Sequence, residues 1–128
     1  MRPVLVAEDE ETDAVILERV FRQAKVANPL TIVPDGKAAI DYLSGADPVP
    51  ALLLLDLKMP RVNGFEVLAW LGLRPELKSM PAVVLSSSSH QSDIDKALEL
   101  GARDYLIKPQ DIGQFVKMVE ALNARWLK

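Results

Sequence analysis

Short apolar runs recur along the chain, and segments with helical spacing separate them. None of the runs alternates cleanly with polar residues, which favours strands covered on both faces over a sheet with one wet face. The runs are VLVA at 4–7, TIV at 31–33, LLLL at 52–55, AVVL at 82–85 and YLI at 105–107. This pattern predicts five strands.

The intervening segments carry apolar residues three or four positions apart, the spacing of one helix face. The predicted stripes are Val15, Ile16, Val20, Phe21 and Ala24, then Ala39, Ile40 and Leu43, then Phe65, Leu68 and Leu71, then Ile94, Ala97 and Leu98, and finally Ile112, Phe115, Val116, Val119 and Leu122. A strand–helix order repeated five times predicts an α/β fold, with a parallel sheet and helices on both faces.

Polar residues follow four of the five apolar runs. In open α/β sheets, ligands bind beyond the carboxyl ends of the strands, so these residues are candidates for a site. Glu8 and Asp9 follow the first run, Asp56 the third, Ser86 the fourth and Lys108 the fifth. We therefore expect three carboxylates, a hydroxyl and an ammonium to converge in one cleft.

Such a cleft has a defined chemistry. Carboxylates held together repel one another, and a hard divalent cation relieves that repulsion. Mg²⁺ suits the site because it takes oxygen ligands from one or two carboxylates and from water. With the charge neutralised, Asp56 can attack phosphorus, while Lys108 and Ser86 contact the phosphoryl oxygens.

Other acids and loop residues have simpler interpretations. Glu10, Glu11 and Asp13 are assigned to the solvated N-terminus of the first helix, where negative charge is favourable. Ser89 is expected to cap the helix over 91–100. Gly64 is expected to permit a positive φ in the loop after Asp56.

Composition narrows the function classes. The 128 residues fit one domain, and the net charge of −3 provides no basic surface for nucleic acid. The absence of cysteine excludes disulfides and thiolate chemistry. No run approaches the roughly 20 apolar residues of a membrane span, and no signal peptide is evident, so we expect a soluble cytoplasmic protein.

Four motifs carry a family resemblance. VLVAEDE, LLLLDLKMPRVNGFEVL, VVLSSSS and GARDYLIKP, in this order, resemble the receiver domain of two-component response regulators. The resemblance runs from Val4 to about Leu122 and implies a flavodoxin-like (βα)5 fold with strand order 2-1-3-4-5. VPDGKAAIDYL and KALELGARDYLIKP are most similar to the stand-alone regulators that partner phytochrome-type histidine kinases.

The resemblance assigns roles by position. It makes Asp56 the phosphoacceptor, and Glu8 and Asp9 the acidic pair. Asp9 and Asp56 would bind Mg²⁺ directly, Glu8 through water and Lys58 through its backbone carbonyl. Lys108 matches the invariant lysine of the family.

The resemblance also implies switch and lifetime residues. Ser86 matches the switch Ser/Thr and Tyr105 the switch aromatic residue. Lys58 and Ser88 occupy the positions that flank the path of the water hydrolysing the acyl phosphate. A cis Lys108–Pro109 bond, common in the family, is a further expectation.

The implied function is that of a stand-alone response regulator. A histidine kinase or a phosphotransfer protein would phosphorylate Asp56, and the protein's own chemistry would be limited to self-directed phosphoryl transfer and autodephosphorylation. Residues 1–128 are expected to form a single receiver without an output domain. It would signal by contact with a downstream protein, with neither nucleic acid nor membrane as partner, and homodimerisation stays open.

Three alternatives compete with this interpretation. A phosphorylation-independent scaffold would keep the fold without the chemistry. A phosphatase of the haloacid dehalogenase type also ends a strand on a nucleophilic Asp, but it needs a second acid where Lys58 lies. A flavodoxin needs a hydroxyl-rich phosphate loop after the first strand, and the acidic EDEETD there would repel phosphate.

Overall fold

Five strands alternate with five α-helices, as the apolar pattern predicts. The computed structural model describes residues 1–127. The strands are β1 (Val4–Ala7), β2 (Leu30–Val33), β3 (Leu52–Leu55), β4 (Ala82–Ser86) and β5 (Asp104–Ile107). The helices are α1 (Glu11–Gln23), α2 (Gly36–Ser44), α3 (Gly64–Leu71), α4 (Gln91–Glu99) and α5 (Ile112–Leu122). A short 3-10 helix spans Pro75–Leu77, and α5 continues into a π-helical turn over Asn123–Leu127.

The strands form one parallel sheet in the order β2-β1-β3-β4-β5. This order confirms the flavodoxin-like fold, in which β1 and β3 lie at the centre of the sheet. Strand order reverses beside β1, because the chain moves first outward to β2 and then back across to β3. The carboxyl ends of β1 and β3 therefore flank the crevice where such folds bind ligands.

Two apolar layers enclose the sheet, one on each face. Alternate residues of a strand point to opposite faces. Leu53 and Leu55 thus pack with α2, α3 and α4, whereas Leu52 and Leu54 pack with α1 and α5. All four leucines are fully buried, which stabilises the fold by roughly 1.5–3 kcal/mol per side chain. The run has no polar alternation because this central strand has no solvated face.

Caps define the starts of three helices. The Asp35 carboxylate accepts the N–H of Ala38 at the start of α2. At α3, Asn63 and Glu66 form a reciprocal capping box. The Asp111 side chain accepts an N–H at the start of α5.

The start of α4 differs from the prediction. The cap position is His90, whose side chain makes no capping bond, and the predicted cap Ser89 is exposed. The hydroxyl of Ser88 instead accepts the N–H of His90 at 3.3 Å and donates to Asp93 at 2.6 Å. The prediction for Ser89 is wrong because the loop turns Ser88, rather than its neighbour, toward the helix.

The described helices do not have the features of membrane-spanning segments. None of the helices within residues 1–127 combines the length and apolar character that a membrane crossing requires.

Candidate functional site

Four strand ends meet at one edge of the sheet. The register pairs Ala7 with Leu55, so the residues that follow β1 and β3 lie side by side. The N–H of Asp56 donates to the carbonyl of Ala7 at 3.2 Å, which extends this pairing by one residue. The N–H of Lys108 donates to the carbonyl of Ser86 at 2.8 Å, which does the same for β4 and β5.

Three carboxylates form a cluster at this edge. Glu8, Asp9 and Asp56 each have an oxygen within 4.8 Å of the others. Glu8 and Asp56 are buried, whereas Asp9 is exposed. Carboxylate oxygens are the ligands that a hard divalent cation prefers, and the exposed side leaves room for waters that such an ion retains. The cluster therefore fits a site for Mg²⁺ or a similar cation.

The two oxygens of Asp56 have different partners. Oδ1 accepts the N–H of Leu57 at 2.7 Å, and the N–H of Lys58 lies at 3.4 Å. Oδ2 accepts a hydrogen bond from the ammonium of Lys108 at 2.9 Å. Backbone amides and an ammonium thus hold the carboxylate in one orientation at the sheet edge.

A glycine behind Asp56 allows the loop to close beneath the site. A Cβ on Gly64 would overlap the carbonyl oxygen of Asp56 and would lie 2.8 Å from the Cα of Leu57. The expected positive φ is instead at Arg61, at 71°. Gly64 is therefore required for close backbone approach, and the predicted reason for this glycine is wrong.

Lys108 is the most connected side chain of the site. Its Nζ donates to Glu8 at 2.7 Å, to Asp13 at 2.9 Å and to Asp56 at 2.9 Å. Burial alone would lower the pKa of Lys108, but hydrogen bonds to the three carboxylates outweigh it and raise the pKa. Lys108 is therefore an ammonium at any physiological pH.

Glu8 is the most buried member of the cluster, at 4% exposed. Burial raises the pKa of Glu8, and the hydrogen bonds from Lys108 and from the N–H of Glu10 oppose this shift only partly. A cation at the cluster would favour the ionised carboxylate, as any nearby positive charge does.

Asp13 is the site residue that the sequence interpretation missed. It lies in the first turn of α1, and its carboxylate contacts Lys108 across 95 residues of sequence. The available signal was weak. The first turn of α1 begins close beyond Glu8 and Asp9, so its acids lie near the cleft, but the local pattern did not identify which one contacts it.

Ser88 links three elements near the predicted switch residues. The hydroxyl oxygen of Ser86, itself 1% exposed, accepts the N–H of Ser88 at 3.2 Å. The hydroxyl of Tyr105 donates to the carbonyl of Ser88 at 2.9 Å. With the bond from Ser88 to Asp93, the loop between β4 and α4 is tied to β5 as well as to its own helix.

Lys58 lies in the loop after β3, beside the acidic cluster. Its side chain is exposed, and it lines a cleft of about 450 Å³ together with Asp9, Phe65 and Asp93. The cleft opens beside the acidic cluster, so a flexible cation here lies close to the approach to Asp56. At the end of β5, the Lys108–Pro109 bond is trans, contrary to expectation, and the cis bond among residues 1–127 is Asp47–Pro48.

Family membership follows from the whole chain as well as from the site. Residues 4–120 match the family described as Response regulator receiver domain. The chain belongs to this family. As a receiver, it is a component of two-component signalling, and domains of this type interact with histidine kinases or phosphotransfer proteins rather than acting as ordinary enzymes.

A response regulator with a metal-bound crystal structure is among the similar proteins. Response regulator Rcp1 of Synechocystis sp. is 34% identical over 98% of this chain and 88% of its own length. A crystal structure of its Mn²⁺-bound form has a TM-score of 0.87 at 33% identity and covers 100% of this receiver and 96% of that chain. The acidic cluster of this receiver fits divalent-metal binding of the kind typical of its family.

Two further structures extend the comparison. Response regulator RPA3017, in red light signaling of R. palustris, has a TM-score of 0.92 at 34% identity, over 100% of this chain and 95% of its own. The phosphorylated cyanobacterial phytochrome response regulator RcpA has a TM-score of 0.88 at 31% identity, over 99% of this chain and 94% of its own. This receiver is thus similar to phytochrome-associated, CheY-like regulators.

Proposed function

We propose that this receiver accepts a phosphoryl group on Asp56 in a two-component phosphorelay. The observation that carries the proposal is the placement of Asp56, which lies in the acidic cluster and also contacts the Lys108 ammonium. The carboxylate thus belongs to a cluster that can hold a cation and also contacts a permanent positive charge. Both positive groups are needed for a carboxylate to receive a phosphoryl group.

Electrostatics explains why the reaction should depend on a metal. The site holds four carboxylates, those of Glu8, Asp9, Asp13 and Asp56, and one ammonium, that of Lys108, so it is strongly negative. An incoming phosphoryl donor is negative as well and would be repelled. Bound Mg²⁺ would neutralise this charge, with Asp9 and Asp56 as direct ligands, Glu8 through water and Lys58 through its carbonyl.

The proposed transfer is an in-line displacement. An oxygen of Asp56 forms a bond to phosphorus while the bond from phosphorus to the donor's imidazole nitrogen breaks, and the imidazole keeps that electron pair. Lys108 stabilises the charge on the phosphoryl oxygens, and the Ser86 hydroxyl donates to one of them. The product is an acyl phosphate on Asp56, which water later hydrolyses.

The proposed switch begins at Ser86. A phosphoryl group on Asp56 draws in the hydroxyl of Ser86. The N–H of Ser88 donates to that hydroxyl oxygen, so Ser88 must move with it. Tyr105 is bonded to the carbonyl of Ser88, so a shift of the loop reaches β5. Phosphorylation would thereby shift the population of two arrangements of this face.

The proposed partners follow from this chemistry and from the relatives. A sensor histidine kinase of the phytochrome type, or a phosphotransfer protein, would donate the phosphoryl group in the cytoplasm. A downstream protein would recognise the changed surface of α4, β5 and α5.

Intact mass after incubation with acetyl phosphate and Mg²⁺ tests the proposal. We expect a single phosphoryl adduct, because the small-molecule donor needs only the receiver's own site. The adduct should be absent from Asp56→Asn and from samples with excess chelator. An adduct of equal yield in Asp56→Asn would place the chemistry elsewhere and refute the proposal.

Lys58 and Ser88 are proposed to set the lifetime of the acyl phosphate. Lys58 is exposed beside the approach to Asp56, where its ammonium can screen or orient the attacking water. The hydroxyl of Ser88 is held by Asp93, so Lys58 is the simpler residue to test. We expect the decay rate of phosphorylated Lys58→Ala to differ from wild type by at least about threefold. Equal decay rates would refute the proposed role of Lys58.

A phosphorylation-independent scaffold is the second candidate. It predicts that Asp56→Asn retains full binding to the downstream protein and that acetyl phosphate changes nothing. The complete set of Glu8, Asp9, Asp56, Ser86 and Lys108 favours the phosphoacceptor, since a scaffold has no need of a buried carboxylate cluster.

A further inference from the structure

Asp13 reaches the site from a helix rather than from a strand end. Its carboxylate oxygen Oδ2 lies 2.9 Å from Nζ of Lys108. The Lys108 side chain is 12% exposed and that of Asp13 is 37% exposed, so the contact lies at the mouth of the site and is partly screened from water. Asp13 is not part of the cluster formed by Glu8, Asp9 and Asp56.

The position of an ammonium depends on its partners. A lysine head group is a point charge with three donor protons on a flexible stem, and it has no preferred orientation of its own. Here three carboxylates, one following β1, one on α1 and one following β3, accept hydrogen bonds from the ammonium. The Lys108 ammonium is thereby held from three directions.

Two of the three carboxylates that hold Lys108 also have a role in the proposed metal binding or phosphoryl transfer. Glu8 and Asp56 belong to the acidic cluster that fits a cation, and the Asp56 carboxylate changes identity when it is phosphorylated. Asp13 has no such second role, so its contact with Lys108 can persist through metal binding and phosphoryl transfer. It is the one anchor of the three with this property.

Resting on phosphoryl transfer to Asp56 as proposed above, we propose that Asp13 is a positioning residue that holds the Lys108 ammonium beside Asp56. It contacts neither the metal nor the phosphoryl group and acts through Lys108. Without Asp13, only Glu8 and Asp56 hold the ammonium, and it spends more time away from the reacting oxygens.

A helix-charge effect is the competing explanation. Acids in a first helical turn stabilise the helix whether or not they touch the site. Glu11 provides the matched control, because it lies in the same first turn and is exposed. Glu11→Gln and Asp13→Asn each remove one negative charge, but only the second removes an ion pair with Lys108.

The kinetic experiment measures the initial rate of phosphorylation by acetyl phosphate at saturating Mg²⁺. We expect Asp13→Asn to lower the rate on the order of tenfold, as for loss of a hydrogen bond between charged groups. Glu11→Gln should change it less than about twofold. Asp13→Glu, which keeps the charge on a longer stem, should recover part of the rate. Equal rates in Asp13→Asn and wild type, or equal losses in both charge variants, would overturn the proposal.

A second readout reports on Lys108 directly and is independent of phosphorylation. Nitrogen NMR of the ammonium measures how fast its protons exchange with water, and three carboxylate partners should slow this exchange in wild type. We expect faster exchange in Asp13→Asn and unchanged exchange in Glu11→Gln, with the remaining resonances showing that both variants are folded. If wild type accepts no phosphoryl group, the proposed function fails, yet this signal still decides whether Asp13 positions Lys108.

Discussion

Lys108 joins three separate parts of the chain at the site. Its ammonium contacts carboxylates that follow β1, lie on α1 and follow β3. An ion pair buried in this way is worth little as a net gain, but removal of one partner leaves the others desolvated and unpaired. The residue therefore contributes to stability chiefly by compensating the acids that the site requires.

Replacement of Lys108 should therefore lower the stability of the metal-free protein. We expect Lys108→Met to lower the metal-free unfolding free energy by about 2–4 kcal/mol, because three carboxylates lose their cation. Chemical denaturation with chelator present measures it. Lys37→Met is the control, since the pair of Lys37 with Asp41 is exposed and should contribute only about 0.3–0.5 kcal/mol. A loss no larger than that of the control would contradict this account of the site.

At the residue scale, the predicted and missed residues differ in how they reach the site. Glu8, Asp9 and Asp56 directly follow buried strands, so the sequence pattern alone was enough to select them. Asp13 was assigned to solvent because helix position and charge are local signals, whereas its contact depends on the path of β5. Ser88 was selected from the resemblance, but its bond to Asp93 depends on how the loop folds.

At the scale of elements, the loop after β3 is built by close packing. Gly64 starts α3 directly against the backbone of Asp56, and Asn63 caps the same helix. The start of α3 and the loop that carries Asp56 are therefore one structural unit. A side chain at this glycine must push either the helix or the carboxylate away.

Gly64→Ala tests this unit. We expect a loss of about 1–3 kcal/mol in unfolding free energy, since the added carbon overlaps backbone that cannot rotate away. Phosphorylation by acetyl phosphate should slow in the same variant. Gly45→Ala is the control, because a Cβ there meets nothing within 4 Å, and its stability should stay within about 1 kcal/mol of wild type. Similar behaviour of the two variants would mean that the loop adapts.

Element boundaries were predictable where apolar residues define them. The predicted runs at 4–7 and 52–55 match β1 and β3, and β4 extends by one residue to include Ser86. The helix caps were less predictable, as the exposed Ser89 shows. Four consecutive serines offer equivalent caps in sequence, and only the turn geometry decides which hydroxyl faces the helix.

At the scale of the whole molecule, the sheet brings several carboxylates together at one edge. In the metal-free protein, no bound metal ion offsets the repulsion between them. The pKa of Glu8 is raised above its ordinary value of 4.5 because the carboxyl is buried. The folded protein therefore holds this proton more tightly than the unfolded chain does. The contribution of Glu8 to stability is fully present below pH 4.5 and is lost as the pH rises through its raised folded pKa.

This sign can be measured against a variant that cannot titrate. In metal-free buffer, the unfolding free energy of wild type minus that of Glu8→Gln should fall as the pH rises above 4.5. Thermal or denaturant unfolding over a pH series provides the values. Saturating Mg²⁺ should flatten the slope, because a bound cation favours the ionised carboxylate. A difference that increases with pH in metal-free buffer would contradict the raised pKa.

The sequence by itself determined the five strands, the parallel sheet and the edge at which the acids lie. These features follow from local patterns, because buried parallel strands are continuously apolar and their carboxyl ends share one edge. Only the tertiary structure decided which acids hold Lys108, why Gly64 is a glycine and where Ser88 points. Those outcomes depend on contacts a few ångströms long between residues as many as 100 positions apart, and no local pattern encodes such distances.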